Sequence, residues 1–139
     1  QGRPDMTPFS FLDKHFRNQK IKVFNQGKHE RDFTYIDDTI NLIFKIFKKT
    51  KSKKFKSKFE IYNIAGGKPN KLMNYINLIE KKLKKKIRKK FIKKQPGDVL
   101  KTFADVKKTY KLTKYKTQVS IGDGITNFVN WYLNYYKKK

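Results

Sequence analysis

The stretch Arg31-Asp32-Phe33-Thr34-Tyr35-Ile36-Asp37-Asp38 sets one of the chain's few arginines at the mouth of an apolar run that ends in two carboxylates. Phe, Thr, Tyr and Ile suit a pleated, half-buried surface, so Asp32–Ile36 is expected to be a strand. Arg at a strand entrance can clamp a diphosphate through charge-assisted bonds. Arg31 and Asp32 can equally form a surface pair beside ordinary core aromatics, and spacing alone favours that plainer reading. Asp37 and Asp38 stand between this strand and an apolar helix. A carboxylate there caps exposed N–H groups and meets the positive end of the helix dipole, so capping is preferred over acid–base or metal work.

Working outward, Ile21–Phe24 alternates as a strand, and Asn25-Gln26-Gly27-Lys28 is a turn or hairpin loop. Residues 1–8 read as loop. Phe9–Asn18 can form a short helix, with Phe9, Leu12 and Phe16 at helical spacing. On the other side, Thr39–Lys49 is a helix in which Ile40, Leu42, Ile43, Phe44, Ile46 and Phe47 cover more than one face. A helix apolar nearly all round is buried on both sides. A chain of 139 residues has little interior for that, so a partner layer outside the chain is expected.

Lys48–Lys58 reads as a charged linker, Glu60–Ala65 as a strand and Gly66–Asn70 as a loop. Lys71–Lys86 is an amphipathic helix with Leu72, Tyr75, Ile76, Ile79 and Leu83 in one stripe. Ile87–Ile92 is a short strand, Gln95–Asp98 a Pro-Gly turn and Asp105–Leu112 a short helix. Ser120 opens a final helix to about Tyr136, with Ser120 and Asp123 approximating a capping box. Its buried stripe is Ile121, Ile125, Phe128, Val129 and Tyr132. Strands alternating with helices indicate an α/β chain.

Lys and Arg number 36 against 11 Asp and Glu, a net charge of +25 that invites a nucleic-acid reading. Only Arg3, Arg17, Arg31 and Arg88 are arginines, whereas the planar guanidinium fork is what phosphate and guanine recognition favour. Lys, Asn, Ile, Phe and Tyr share AT-rich codons, so lysines decorating exposed faces are the plainer explanation. The chain has no cysteine, which excludes a disulfide scaffold, a thiolate metal site and a Cys nucleophile. No run approaches the roughly 18 apolar residues of a membrane span. No signal peptide is visible at the N-terminus, which also lacks an initiator Met, so a cytoplasmic piece of something longer is expected.

Gly66-Gly67 lies between a strand and a helix but lacks the G-x-G-x-x-G spacing, and a structural turn is preferred over a phosphate cradle. His15 and His29 have no ligand-spaced companions and read as surface histidines; no metal site is expected. Tyr110-Lys111 and Tyr115-Lys116 are adjacent pairs without the spacing of a Tyr-x-x-x-Lys base. Gln95-Pro96-Gly97-Asp98-Val99 places a carboxylate at a tight turn. Asp98 there can accept two hydroxyls, as sugar recognition requires, or simply form the turn.

Gly2-Arg3-Pro4-Asp5-Met6, Ile21–Asn25 with Gly27, Arg31–Asp38, Ile61-Tyr62-Asn63-Ile64, Gln95–Val99 with Ala104-Asp105, and Ser120-Ile121 through Trp131-Tyr132 follow in one order. That order and spacing resemble the C-terminal part of NAD-dependent nucleotide-sugar epimerases of the extended short-chain dehydrogenase/reductase family, above all the UDP-glucuronate 4-epimerase group. The resemblance runs through all 139 residues. It implies an α/β fold made of the C-terminal substrate lobe plus the last helix and strand of a Rossmann-type core, with the rest of that core outside the chain.

NAD is then bound by the missing N-terminal lobe, and this chain carries neither cofactor-binding nor catalytic residues. The Gly-rich turn, the Tyr-x-x-x-Lys base and the catalytic Thr or Ser segment are expected before it. The Thr39–Lys49 helix and the Glu60–Ala65 strand are expected to pack onto the Rossmann sheet. By the same resemblance Arg31 matches the Arg that grips the UDP diphosphate, and Phe33 the aromatic position beside the nucleotide. Lys22, Val23 and Phe24 match the strand lining the uracil site, and Asp98 the carboxylate facing the ribose. Gln95 stands where the glucuronate type carries Gln and the galactose type Arg. Arg3 matches the Arg of the loop near the sugar–diphosphate end. The implied partner is a UDP-sugar, with neither nucleic acid nor membrane, and a homodimer is expected of the complete enzyme. A sugar-nucleotide dehydratase or decarboxylase lobe and a basic polyanion-binding module are the alternatives.

Overall fold

The computed structural model describes residues 6–52 and 59–137. They carry five α-helices, Thr7–Phe16 (α1), Ile36–Thr50 (α2), Leu72–Leu83 (α3), Lys107–Thr113 (α4) and Ile121–Tyr135 (α5). The strands are Ile21–Phe24 (β1), Glu30–Arg31 (β2), Asn70–Lys71 (β3) and Lys89–Ile92 (β4). The chain divides into two compact units. One holds the residues up to His29, Lys71–Leu100 and Gly122 onward; the other holds Glu30–Asn70 and Lys101–Ile121.

The first unit is organised by a parallel ladder of β1 and β4, in register from Ile21 opposite Lys89 to Phe24 opposite Ile92. Period-two alternation in β1 sends Ile21 and Val23 into the core and Lys22 to solvent. The Tyr75, Ile76 and Ile79 stripe of α3 is buried, as are Ile125, Val129 and Tyr132 of α5. Phe9, buried in α1, meets Phe128, Trp131 and Tyr132 edge-on at centroid distances of 5.7, 5.6 and 5.8 Å, the preferred geometry of ring quadrupoles. Between Phe24 and Lys28 the chain makes a 3-10 turn. Gly27 closes it at φ +75°, and a Cβ there would meet Met73 Cγ at 2.5 Å. Glycine thus answers both the left-handed backbone and the close approach.

Glu80 is a buried carboxylate near the end of α3. It accepts the Ile87 N–H at 2.7 Å and the ammonium of Lys89, with Lys86 Nζ 3.5 Å away. Burial acts to raise its pKa, but the Lys89 and Ile87 hydrogen bonds and the two lysine charges outweigh it, holding the group below its ordinary value.

The second unit departs from the sequence reading in several places. Asp32–Ile36 forms no strand: β2 ends at Arg31, residues 32–35 are irregular, and helix begins at Ile36. Glu60–Ala65 is likewise irregular. A strand exists only through a neighbour, and among the described residues none pairs with either segment. Asp37 and Asp38 lie in the first turn of α2 rather than at its cap, which is Tyr35 and has no side-chain cap bond.

Asp38 instead works at long range. It is 1% exposed and accepts the Tyr115 hydroxyl at 2.6 Å, the Gln118 N–H at 2.9 Å and the Val119 N–H at 3.0 Å. Burial raises its pKa, and these three bonds more than reverse that, leaving it lowered. The remaining apolar face of α2 stands open, with Ile36, Ile40, Ile43, Phe44 and Phe47 all exposed. The helix runs on into the expected linker as far as Thr50, and residues 53–58 of that linker lie outside the described ones.

Candidate functional site

The predicted site residues fall in both units. In the first, β1 carries Lys22, Val23 and Phe24, and the turn before Val99 carries Gln95 and Asp98. Lys22 is exposed, Phe24 is half-buried, and the Val23 side chain is fully buried, so only its backbone can meet a ligand. The Asp98 N–H donates to the Gln95 carbonyl at 3.3 Å, and Gly97 supplies the left-handed conformation at φ +77°. That confirms the turn. Gln95 is exposed and Asp98 half-buried.

Sequence reasoning missed what stands against Asp98. His29, expected at the surface, is only 3% exposed, and its Nε2 lies 3.3 Å from Asp98 Oδ2. The approach is close but out of line for a hydrogen bond, so Nε2 is a buried polar atom without an aligned partner. The His29 carbonyl accepts the Leu72 N–H at 2.8 Å, which ties the residue to the start of α3. No local pattern announces this burial.

In the second unit, Arg31 and Phe33 are half-buried. Arg31 Nη1 donates to the Glu30 carbonyl at 2.9 Å. Asp32 turns to the Gly66-Gly67 bend, where its carboxylate accepts the Gly67 N–H at 3.0 Å and the Lys68 N–H at 3.3 Å. Its own N–H donates to Thr102 Oγ1 at 3.1 Å. A Cβ on Gly66 would sit 2.7 Å from the Phe33 carbonyl oxygen. The two N–H groups that a phosphate cradle would offer are therefore engaged by Asp32, and the bend is structural. It does not fit the pyrophosphate of a dinucleotide. Arg3 lies outside the described residues.

Tyr110 and Lys114 have Tyr-x-x-x-Lys spacing, as do Tyr135 and Lys139, a point that reading only the adjacent Tyr-Lys pairs overlooks. Tyr110 lies on α4 with its ring exposed, and Lys114 Nζ sits over that ring at 5.9 Å. That is a surface cation–π contact. Lys139 lies outside the described residues. Among the described residues no group of three or more His, Cys, Asp or Glu could hold a metal ion, and no helix is long and apolar enough to cross a membrane. A concavity in the first unit is lined by Asn77, Glu80, Lys81, Lys84, Lys85 and Lys86 and includes none of the predicted site residues.

Residues 2–65 match the NAD dependent epimerase/dehydratase family. The uncharacterized protein MJ1055 of Methanocaldococcus jannaschii is 46% identical over 132 residues, which span 95% of this chain and 39% of that protein. The UDP-glucuronate 4-epimerase of Thermodesulfobacterium geofontis is 35% identical over 131 residues, 94% of this chain and 38% of that protein. Among solved structures, UDP-glucuronic acid 4-epimerase from Bacillus cereus in complex with UDP-glucuronic acid and NAD superposes with a TM-score of 0.79 at 30% identity. That superposition covers 94% of this chain and 41% of the other. The chain thus spans less than half the length of these relatives.

Proposed function

The chain belongs to the NAD dependent epimerase/dehydratase family, corresponding to the C-terminal part of its members, and from that premise we propose that it is the UDP-sugar-binding lobe of a UDP-glucuronate 4-epimerase. The observation that carries this is the 35% identity to a UDP-glucuronate 4-epimerase over 94% of this chain. The family uses NAD. The complete protein inverts C4 by transient oxidation to a 4-keto sugar, and the share of this chain is binding and orientation. Alone it is inactive. The complete enzyme works as a homodimer in the cytoplasm.

In this reading Arg31 holds the diphosphate. A guanidinium half-withdrawn from water, at the end of a short strand, is suited to charge-assisted bonds to phosphate oxygens. Phe33 and Phe24 give apolar surface to the nucleotide, and the Lys22–Val23 backbone meets the uracil edge. Asp98 faces the ribose, and Gln95 stands where the glucuronate type carries Gln and the galactose type Arg. By its match to the family's Gly-Arg-Pro-Asp loop, Arg3 is the candidate cation for the C6 carboxylate of a glucuronate, which needs a charged or multiply hydrogen-bonded partner once out of water.

Calorimetry of the full-length protein with UDP, between about 50 and 200 mM salt, tests this. A stacked, hydroxyl-bonded UDP site keeps its affinity within about tenfold. A phosphate-backbone binder making several contacts loses roughly three decades or more over that range. Absence of UDP binding, or a loss of the second size, overturns the proposal.

A further inference from the structure

Resting on the UDP-sugar reading above, we propose that His29 is a positioning residue whose buried Nε2–H holds the Asp98 carboxylate in the orientation that accepts a ribose hydroxyl. Three observations carry it. First, His29 is buried, its backbone is fixed by the Leu72 N–H, and its Nε2 lies 3.3 Å from Asp98 Oδ2. Second, Nε2 has no aligned hydrogen bond, which is costly for a buried polar atom. The Asp98 carboxylate stands within hydrogen-bonding reach, and a small rotation of its side chain aligns the pair. Third, the turn that carries Asp98 lacks packing at its tip, since nothing lies within 4 Å of a Cβ built on Gly97. An anchored donor behind the carboxylate favours the rotamer that meets it.

A carboxylate accepts about four hydrogen bonds, so a bond from His29 does not exhaust it. The arrangement resembles an outer-sphere partner that orients a ligating group. The hydrogen must sit on Nε2 for the histidine to act in this way.

The test compares UDP with 2′-deoxy-UDP by calorimetry on the full-length protein and its His29→Phe, His29→Gln and Asp98→Asn variants. The unmutated protein is expected to favour UDP by about tenfold, the scale of one hydrogen bond to a charged group. His29→Phe loses most of that preference while keeping a cooperative melt, and KM for UDP-glucuronate rises with kcat little changed. His29→Gln, whose amide N–H can still reach the carboxylate, retains most of the preference. Should His29→Phe fail to fold, His29→Asn, too short to reach, asks the same question and is expected to lose the preference. If the His29 variants keep the tenfold preference while Asp98→Asn loses it, the role of His29 is overturned and the UDP-sugar reading stands. If the unmutated protein does not bind UDP, that reading falls and this proposal with it.

Discussion

Replacing Asp38 with Ala removes a carboxylate that joins helix α2 to the segment after α4 through the Tyr115 hydroxyl and the Gln118 and Val119 N–H groups, at 2.6, 2.9 and 3.0 Å. At 1% exposure, water cannot take over as acceptor. A hydrogen bond to a charged group contributes about 1.5–3 kcal/mol, and an unmet buried donor costs about 1–3 kcal/mol. The three donors share one acceptor, so their losses overlap rather than add. Asp38→Ala is therefore expected to cost about 3–5 kcal/mol. Asp38→Asn keeps one carbonyl oxygen, which can serve two donors while its NH2 opposes the third, so its loss is about half as large. Tyr115→Phe removes only the hydroxyl and costs about 1–2 kcal/mol. Urea unfolding of the full-length protein and its three variants measures the series. A loss below about 1 kcal/mol for Asp38→Ala, or a Tyr115→Phe loss equal to it, refutes the long-range role given to Asp38.

Arg31→Ala is expected to weaken UDP-sugar binding by about 2–5 kcal/mol, and Lys28→Ala, at an exposed position, by far less; equal losses in calorimetry would make Arg31 an ordinary surface residue. The isolated 139-residue chain is expected to be poorly stable and to self-associate through Ile40, Ile43, Phe44 and Phe47. Sedimentation velocity checks this, and a clean monomer with a sharp, cooperative melt contradicts it. Asp38 and Glu80 both have pKa values lowered from their ordinary 3.8 and 4.5. Their stabilisation is thus fully present above about pH 4.5 and lost as pH falls through the lower, folded-state values. The urea midpoint should hold between pH 7 and about 5 and drop below pH 4.5; a profile flat to pH 3 opposes the assignment.

What the sequence made legible follows from how local each signal is. β1 is read to the residue because alternation within four positions decides it. The stripes of α3 and α5 come through because period 3.6 repeats within one element. The turn at Gln95–Asp98 is written in Pro and Gly. Phe33, Thr34 and Tyr35 mislead, because β propensity measures fit to a sheet surface and no described segment pairs with theirs. The acceptor role of Asp38 is out of reach of any window, since its partners lie 77 to 81 positions away. His29 and Glu80 are polar residues that the fold buries, and only the packed first unit reveals it. Order and motif point to the candidate diphosphate and ribose residues, whereas nothing in the neighbours of His29 marks that histidine as buried.

An NMR assay of the full-length protein with NAD and either UDP-glucuronate or UDP-glucose tests the proposed epimerase activity itself. The expected result is conversion of UDP-glucuronate to its C4 epimer, UDP-galacturonate, with higher kcat/KM than for UDP-glucose. Inversion of UDP-glucose in preference to UDP-glucuronate, or no C4 inversion of either sugar, would contradict it.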